Sequence, residues 1–190
     1  MGLDREDVRS RLAASCPPAD AEDLLSGPGV PAAVLIGLVG YHQGPCVILT
    51  RRQENLKNHA NEVSFPGGKI EPTDGHPWAA ALREASEEIG LAEDSVQLLG
   101  CLPPYLTVSD FWVYPFVGWI DPPADISPDP QEVAEVFELP LDFVLDSANH
   151  KRGQAALGDK SRDFYVLSYS GHRIWGATAD LLVQLARVLS

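Results

Sequence analysis

The chain has 190 residues, of which 45% are hydrophobic, and it carries a formal net charge of −13. This length and apolar content predict a single domain with its own core, preceded by a short helical extension over about residues 1–28. The acidic balance argues against binding along a nucleic-acid backbone, which requires many Lys and Arg side chains. No apolar run reaches the roughly 20 residues of a membrane span, and the charged start MGLDREDVRSRL lacks the apolar stretch of a secretory signal. We therefore expect a cytoplasmic protein with a small-molecule partner, and neither a nucleic-acid nor a membrane partner.

Two short helices and a β-hairpin are predicted in the first part of the chain. DREDVRSRLAASC and ADAEDLLS have helical spacing. PAAVLIGLVGYH and CVILTRR are rich in β-branched and aliphatic residues and flank the turn residues QGP, which indicates two strands.

A short strand and a long helix follow the hairpin. VSF is extended and stops at Pro66. HPWAAALREASEEIGL predicts a helix with Pro77 in its first turn and Gly90 at its end.

The second half of the chain predicts more strands and two helices. VQLLGCLPPYLTV and FWVYPFVGWI are extended and aromatic, and EVAEVFELPLDFVL indicates a strand that leads into a short helix. RDFYVLSY and HRIWG predict a hairpin, and ATADLLVQLARVLS predicts a closing amphipathic helix. Strands and helices in this mixed order predict the α/β class, with a mixed sheet covered on both faces as an α/β/α sandwich.

Three cysteines, Cys16, Cys46 and Cys101, are far apart in the sequence. Their spacing matches no thiolate metal site, and their odd number argues against a disulfide framework. We expect all three to be reduced.

Three carboxylates, Glu84, Glu87 and Glu88, are three and four residues apart in the predicted helix. This spacing places them on one face, where like charges destabilise a helix unless they are solvated or bind a cation. A bare EASEE string is more often a solvated face. Here the preceding FPGGK allows the backbone to approach a ligand closely, which favours a site for a hard divalent ion, Mg²⁺ first and Mn²⁺ next. Arg83 can pair with a glutamate of the next turn and hold it in place.

The segment that contains these residues resembles the signature of the Nudix hydrolases, Gx5Ex7REUxEExGU, in which U is a bulky apolar residue. REASEEIGL matches the second half of the signature, except that Ala85 is small. Counting from Gly68, Asp74 stands in place of Glu, and one extra residue precedes Arg83. Both departures are familiar in the Nudix coenzyme A pyrophosphatases, which tend to read LLTxRSxxLRxHxGEVSFPGGKxDxxD before REAxEEIGL.

In this chain the corresponding stretch is ILTRRQENLKNHANEVSFPGGKIEPTD, without a gap. Later segments are also similar to that branch: PYLTVSDFWVYPFVGWI, EVAEVFELPL and HRIWGATADLL. The likeness covers about three quarters of the chain. Four departures bear on the substrate more than on the chemistry: Gln53 replaces Ser, Lys57 replaces Arg, and Asn61 and Asp110 each replace Gly.

The resemblance implies a Nudix-type α/β/α sandwich that hydrolyses a pyrophosphate bond with Mg²⁺ or Mn²⁺. It implies Glu84 and Glu88 as the main metal ligands, with Glu87 sharing ligation or acting as the base toward water. The Gly67–Gly68 backbone is a candidate for a further carbonyl ligand, which we assign to Gly68. Glu132 and Glu135 are lesser candidates for the base.

Four residues are candidates for substrate binding, namely Arg51, Lys57, Lys69 and His59. Each of the three cations can instead simply solvate a strand end, and a lone His is as often structural as functional. The favoured substrate is coenzyme A or acyl-coenzyme A, which would give 3′,5′-ADP and 4′-phosphopantetheine.

Two other functions stay open. One is a Nudix pyrophosphatase for ADP-ribose, a dinucleotide or an oxidised nucleotide, and the other is a non-catalytic module that senses a nucleotide. The intact REASEE argues against the sensor, because a pure binder does not need three aligned carboxylates. A homodimer through the aromatic strands is compatible with the sequence, although residue spacing does not establish it.

Overall fold

A computed structural model of the chain describes residues 3–12, 27–56, 59–157 and 160–190, and in the stretches 155–157 and 160–162 it describes the backbone alone. The helices in these ranges are α1 (Arg5–Leu12), α2 (Pro77–Ile89), α3 (Leu141–Leu145) and α4 (Gly176–Leu189). The strands are β1 (Val30–Tyr41), β2 (Gly44–Arg52), β3 (Val63–Ser64), β4 (Gly67–Lys69), β5 (Val96–Cys101), β6 (Tyr105–Leu106), β7 (Phe111–Ile120), β8 (Val133–Pro140), β9 (Lys151–Leu157), β10 (Lys160–Tyr169) and β11 (His172–Trp175). No described helix is long and apolar enough to cross a lipid bilayer.

The main sheet is mixed, with the strand order β3-β2-β1-β7-β5. β1 and β7 run parallel along ten paired residues, and the other pairs are antiparallel. β8 pairs with β2, β6 pairs with β7, and β4 pairs with the first half of β1. A second, smaller sheet has the order β9-β10-β11. β2 pairs only with the second half of β1, so the edge of the first half is available to β4. β4 contains the two glycines of FPGGK.

The main sheet is covered on both faces, as the α/β/α prediction requires. Side chains of β1 alternate between the faces with the period of two expected of a strand. Ala33, Leu35 and Val39 pack against α2, whereas Ile36 and Leu38 belong to the core beneath α1, α3 and α4. Val8 and Leu12 of α1 are fully buried, so this helix is part of the core.

α2 begins and ends where the sequence predicts. Pro77 is the first helical residue, and the side chain of His76 accepts a hydrogen bond from the backbone N–H of Ala79 at 3.1 Å, which satisfies one of the free donors of the first turn. Gly90 ends the helix at φ 68°, and its N–H donates to the carbonyl of Ser86 at 3.0 Å.

Several sequence-based expectations were incomplete. The predicted strand VQLLGCLPPYLTV is divided into β5 and β6 around Pro103 and Pro104, which cannot donate to a ladder. β4 and β9 were not predicted, because GGK and KRGQAAL lack the alternation of β-branched residues that marks a strand. The predicted helix ADAEDLLS lies outside the described residues.

The prediction that the cysteines are reduced is wrong for Cys101, which is disulfide-bonded. Cys46 is free, and burial raises the pKa of its thiol. Cys16 lies outside the described residues. The spacing argument considered neighbours in sequence, whereas the fold packs the end of α1 against the end of β5, where a Cβ on Gly100 would lie 2.9 Å from the Cβ of Leu12.

Candidate active site

β4 passes closely between β1 and α2, and only glycine fits there. Gly67 has a φ of 155°, and a Cβ at this position would lie 2.4 Å from the carbonyl oxygen of Ala33. A Cβ on Gly68 would lie 2.5 Å from the carboxyl carbon of Glu84. Both distances are far inside van der Waals contact, so the absence of side chains allows the β4 backbone to reach the acidic face of α2.

Glu88 is the most buried carboxylate of α2, with 5% of its surface exposed. One of its oxygens accepts from the N–H of Gly67 at 3.2 Å, and the other accepts from Nη1 of Arg52 at 3.4 Å. Burial raises the pKa of Glu88 to about 7, against the lowering effects of the Gly67 N–H and Arg52, and the negative charges of Glu84 and Glu132 reinforce the rise.

Glu84 lies one turn before Glu88, with its carboxylate against Gly68. Its pKa is also raised, chiefly by burial, although the Arg83 guanidinium opposes the shift. The charges of Glu87 and Glu132 act in the same direction as burial. A half-buried and a buried carboxylate, Glu84 and Glu88, thus lie on one face of the helix.

Arg83 connects the two ends of this region. Its Nε and Nη2 donate to the two oxygens of Asp74 at 2.8 and 3.1 Å, and Nη2 also donates to the carbonyl of Lys69 at 3.1 Å. Its Nη1 donates to Glu84 and to Glu87, both at 3.0 Å. The guanidinium holds the pKa of Asp74 below its usual range, so this carboxylate stays charged. Arg83 therefore positions Glu84 and Glu87 relative to β4. We call Asp74, Glu84, Glu87 and Glu88 the carboxylate cluster.

A cavity of about 620 Å³ adjoins the carboxylate cluster through Arg52, Gly67 and Gly68. This volume is in the range of pockets that hold a small molecule. Its other lining residues come from three separate stretches of the chain and from β1 and β7: His59, Glu62, Val63, Ser64, Phe65, Lys69; Thr107, Val108, Ser109, Phe111; Trp175, Gly176, Ala177, Thr178, Leu181; Ala32, Val34 and Val113. The wall combines charged groups, Arg52, Glu62 and Lys69, with an apolar part that includes Phe65, Phe111 and Trp175.

Comparison with known proteins identifies this combination of fold and site. The NUDIX domain family model matches residues 29–157, the greater part of the chain. The chain belongs to the Nudix hydrolase family. It is therefore an enzyme that hydrolyses the pyrophosphate bond of a nucleotide derivative, in a family that generally uses divalent metal ions.

Curated relatives extend the match over most of the chain. A Nudix hydrolase NudL from Pectobacterium atrosepticum is 39% identical over 159 residues, which cover 84% of this chain and 82% of the relative. A NudL from Photorhabdus laumondii is 37% identical over 156 residues, which cover 82% of this chain and 83% of the relative.

Solved structures share the fold at much lower identity. The Nudix hydrolase RenU from M. smegmatis has a TM-score of 0.52 at 19% identity, over 64% of this chain and 83% of RenU. A Nudix hydrolase from Alicyclobacillus acidocaldarius has the same TM-score at 17% identity, over 62% of this chain and 82% of that one. These neighbours support the Nudix fold and nothing finer.

The residues present fit a hard divalent ion. The donors that the carboxylate cluster offers are all oxygens. Burial, reinforced by neighbouring carboxylates, raises the pKa values of Glu84 and Glu88, and a bound cation would favour their charged forms. Within the described ranges, no three His, Cys, Asp or Glu side chains converge closely enough to hold a metal by themselves. A Nudix site does not need such a closed cage for Mg²⁺, which usually keeps several waters and takes one or two carboxylates together with substrate phosphates.

The candidate substrate residues have different locations. Lys69 and His59 line the cavity, and His59 Nδ1 is 2.7 Å from a carboxylate oxygen of Glu62. Arg51 is not among the lining residues. Its Nε donates to Glu135 at 3.2 Å and its Nη1 to Asn61 at 3.2 Å. Lys57 lies outside the described residues.

Arg52 is the cation that sequence reasoning missed. It lines the cavity, contacts Glu88, and has a buried Nε with no hydrogen-bond partner among the described residues. A usable signal was present, because successive residues of a strand point to opposite faces and only one of Arg51 and Arg52 can face α2. The strand pairing also shifts register between these two residues, which the sequence does not reveal.

Two of the substitutions relative to the Nudix coenzyme A branch are compatible with the backbone conformation of glycine. Asn61 and Asp110, which replace Gly, both have a φ of 60°. Asn and Asp are the residues other than glycine that adopt this left-handed conformation most readily. The loops therefore keep the bend that glycine would allow, and the departures change side-chain chemistry at the edge of the cavity.

Proposed function

We propose that the chain is a diphosphatase of coenzyme A or acyl-coenzyme A, which it cleaves to 3′,5′-ADP and 4′-phosphopantetheine or its acylated form. The observation that carries the proposal is a convergence in space. Three segments that resemble the coenzyme A branch are far apart in sequence, yet each of the ranges 59–69, 107–111 and 175–181 contributes several residues to the wall of the same cavity. If these segments resembled the branch only because of core packing, their residues would not need to line one cavity.

The form of the cavity supports a substrate with a charged centre and a long uncharged arm. Arg52 and Lys69 lie beside the carboxylate cluster, where a diphosphate would be cut. Phe65, Phe111 and Trp175 provide apolar wall. A pantetheine arm or a nucleobase could cover such a wall, whereas a compact inorganic diphosphate would leave it exposed to water.

Glu84 and Glu88 are the proposed main ligands of Mg²⁺ or Mn²⁺, with Glu87 and the Gly68 backbone as further candidates. Such an ion, when bound, offsets charge on the diphosphate and lowers the pKa of a bound water. Arg83 keeps two of these carboxylates in place through hydrogen bonds of 3.0 Å to each. Glu87 is 61% exposed, so it can also meet a water that enters from the cavity side.

Glu132 is the stronger of the two lesser candidates for the general base. After burial, its charge contributes to the raised pKa values of both Glu84 and Glu88, which supports a position close enough to act on the carboxylate cluster. Glu135 accepts from Arg51 and lies 3.6 Å from Nε2 of His172. These contacts direct Glu135 toward the other face of β2.

Arg52 and Lys69 are the proposed partners of the substrate phosphates, with His59 at the outer edge. The contact of Arg52 with Glu88 is long, at 3.4 Å, and in the part of the chain that the structure describes its buried Nε has no partner, so the guanidinium has donors left for a phosphate oxygen. Arg51 and Lys57 stay weaker candidates. Arg51 is held by Glu135 and Asn61, and it would have to leave them to reach the cavity.

The test is a substrate panel. The protein is incubated with Mg²⁺ or Mn²⁺ and with coenzyme A, acetyl-coenzyme A, ADP-ribose, NADH or 8-oxo-dGTP, and the products are followed by mass. We expect 3′,5′-ADP from both coenzyme A compounds, with a higher kcat/KM than for the other three. Cleavage of another compound while coenzyme A survives would assign a different Nudix substrate. Binding without any turnover would assign the chain as a sensor.

A matched pair of variants connects the panel to the site. Arg52→Gln should raise KM for coenzyme A more than it lowers kcat, because it removes a phosphate partner. Arg51→Gln removes the same charge from the adjacent residue, which does not line the cavity and is held by Glu135 and Asn61, and it should leave KM close to wild type. Equal effects of the two variants would contradict the assignment of Arg52.

A further inference from the structure

A second cavity, of about 560 Å³, lies between α4 and the three-stranded sheet, and it shares no lining residue with the first. Its wall includes Arg152, Tyr165 and Arg187, together with His150 and Ser147. None of these residues belongs to the segments that resemble the coenzyme A branch, so the catalytic site does not account for them.

Two guanidinium groups meet at one oxygen in this cavity. Arg152 and Tyr165 are directly opposite each other on β9 and β10, which places their side chains on the same face. Nη2 of Arg152 donates to the Tyr165 hydroxyl at 2.8 Å, and its guanidinium carbon lies 3.9 Å from the ring centroid. Arg187, in the last turn of α4, donates its Nη2 to the same hydroxyl, also at 2.8 Å.

Neither guanidinium of this pair is held by an ion pair in the described part of the chain. Asp163, on the same face of β10, accepts instead from the Gln154 amide at 3.0 Å. Two cations that share a neutral acceptor repel each other, and an anion between them would remove that repulsion.

Arg187 is also not required to cap α4. The carbonyl of Ala186 accepts from the Ser190 hydroxyl at 2.6 Å, and the carbonyl of Leu189 accepts from Nη1 of Arg11. Other donors thus already satisfy carbonyls at this helix end, and the Arg187 side chain is directed to Tyr165 and the cavity.

We propose that Arg152, Arg187 and Tyr165 form a binding site, separate from the catalytic cavity, for the phosphate group of a small phosphorylated molecule. A phosphate monoester has three terminal oxygens and up to two negative charges to share between two guanidinium groups, whereas a carboxylate has two oxygens and one charge. Ser147 adds a hydroxyl to the wall, and His150 is oriented by the 2.8 Å contact between its Nε2 and the carbonyl of Val144. The volume exceeds that of a phosphate ion, which leaves room for an organic portion.

The experiment is calorimetric titration of the full chain with inorganic phosphate in buffer that contains EDTA. Without a divalent ion the carboxylate cluster disfavours phosphate in the catalytic cavity, and the two arginine variants assign saturable binding to the second site. We expect Arg152→Gln and Arg187→Gln each to weaken binding by about tenfold or more, the value of one charge-assisted hydrogen bond. Lys151→Gln is the matched control, because it removes the same charge from the neighbouring residue on the opposite face of β9, and it should bind phosphate as wild type does.

Further arms identify the ligand and separate this site from catalysis. Acetate should bind far more weakly than phosphate, and a phosphate monoester such as adenosine monophosphate should bind at least as well. Hydrolysis in the substrate panel should be unchanged in the Arg152→Gln and Arg187→Gln double variant, with folding checked by circular dichroism. Three results would each overturn the site: no saturable phosphate binding, undiminished binding in a folded double variant, or an equal loss in Lys151→Gln.

Discussion

The carboxylate cluster and the outer wall of the catalytic cavity differ in how they are held. In the cluster, hydrogen bonds cross between elements: Arg83 joins Asp74 to α2, and Gly67 of β4 donates to Glu88. The outer wall consists of the loops over residues 59–62 and 107–110, whose bends fall on left-handed residues, among them Asn61 and Asp110.

This difference separates chemistry from specificity. A change in the cluster disturbs several bonded partners at once and should affect turnover and stability. A change in the outer wall that keeps the backbone conformation alters only one side chain at the edge of the cavity. Glu84, Glu87 and Glu88 of the cluster match the Nudix signature, and Asp74 is familiar in its coenzyme A branch, whereas Asn61 and Asp110, two of the four departures from that branch, are in the loops of the outer wall.

The largest expected effect is that of Glu88→Gln. Charge stabilisation by a divalent ion is worth several kcal/mol, so loss of a main ligand should lower kcat by about a thousandfold or more. Glu93→Gln is the control, because it removes the same charge from an exposed position just beyond α2 and should keep wild-type turnover. Steady-state hydrolysis at saturating Mg²⁺ measures both. Wild-type rates in Glu88→Gln would remove Glu88 from the proposed ligands.

The next effect concerns stability and pH in the metal-free protein. Burial raises the pKa of Glu88 from 4.5 to about 7. Between these values the folded state keeps a proton that the unfolded state has lost, so the free energy of unfolding should fall as pH rises. The full decrease in the free energy of unfolding corresponds to about 3 kcal/mol. This decrease should be complete above pH 7 and absent below pH 4.5.

Urea denaturation in EDTA at several pH values measures how steeply the free energy of unfolding falls with pH. Glu88→Gln should make this slope flatter, because the amide does not titrate. In the wild-type protein, added Mg²⁺ should restore the stability that is lost at neutral pH, because a bound cation favours the charged form of the Glu88 carboxylate. A stability that rises with pH in the wild type, or an unchanged slope in the variant, would show that Glu88 is charged in the free protein.

A smaller effect is expected for Gly68→Ala. The added Cβ would lie 2.5 Å from the Glu84 carboxyl carbon, so that carboxylate must move. Displacement of one ligand should lower kcat by about 10- to 100-fold, in the range of changes around metal ligands. Gly75→Ala is a control from the same loop, where the new Cβ meets nothing within 4 Å. At its φ of 64°, alanine should cost about 1 kcal/mol of stability with little loss of turnover.

Patterns within single elements allowed much of the fold and cluster to be predicted. Pro77 and Gly90 mark the ends of α2, and the spacing of Glu84 and Glu88 places both on one face. The two predicted strands around QGP form β1 and β2. In each case the deciding interactions lie within one helix or between adjacent strands, so the sequence contains them.

Features that depend on distant partners could not be predicted in this way. β4 is a strand because β1 offers an edge to it, and the face of Arg52 depends on pairing with β8, where the register shifts. The contacts of Arg152 and Arg187 with Tyr165 bring together β9, β10 and α4. Such contacts are set by tertiary packing, which local spacing does not specify.

The smallest expected effect tests the outer wall by a reciprocal exchange, Asp110→Asn and Asn61→Asp. Both positions have a φ of 60°, which Asn and Asp tolerate equally, so the exchanges change charge and leave the backbone. Asp110→Asn should lower KM for coenzyme A by about twofold to threefold with kcat unchanged, because an exposed charge acts weakly through solvent.

Asn61→Asp should raise KM by less than Asp110→Asn lowers it. Nη1 of Arg51 already lies 3.2 Å from the Asn61 side chain and would offset a new carboxylate there. The double variant has the net charge of the wild type, so any difference in KM reports where the charge lies. Both shifts in KM should become smaller in 0.5 M salt, where the Debye length falls to about 4 Å. Shifts in KM that persist in high salt would mean that the loops themselves had moved, and the separation between a bonded cluster and an adjustable outer wall would not hold.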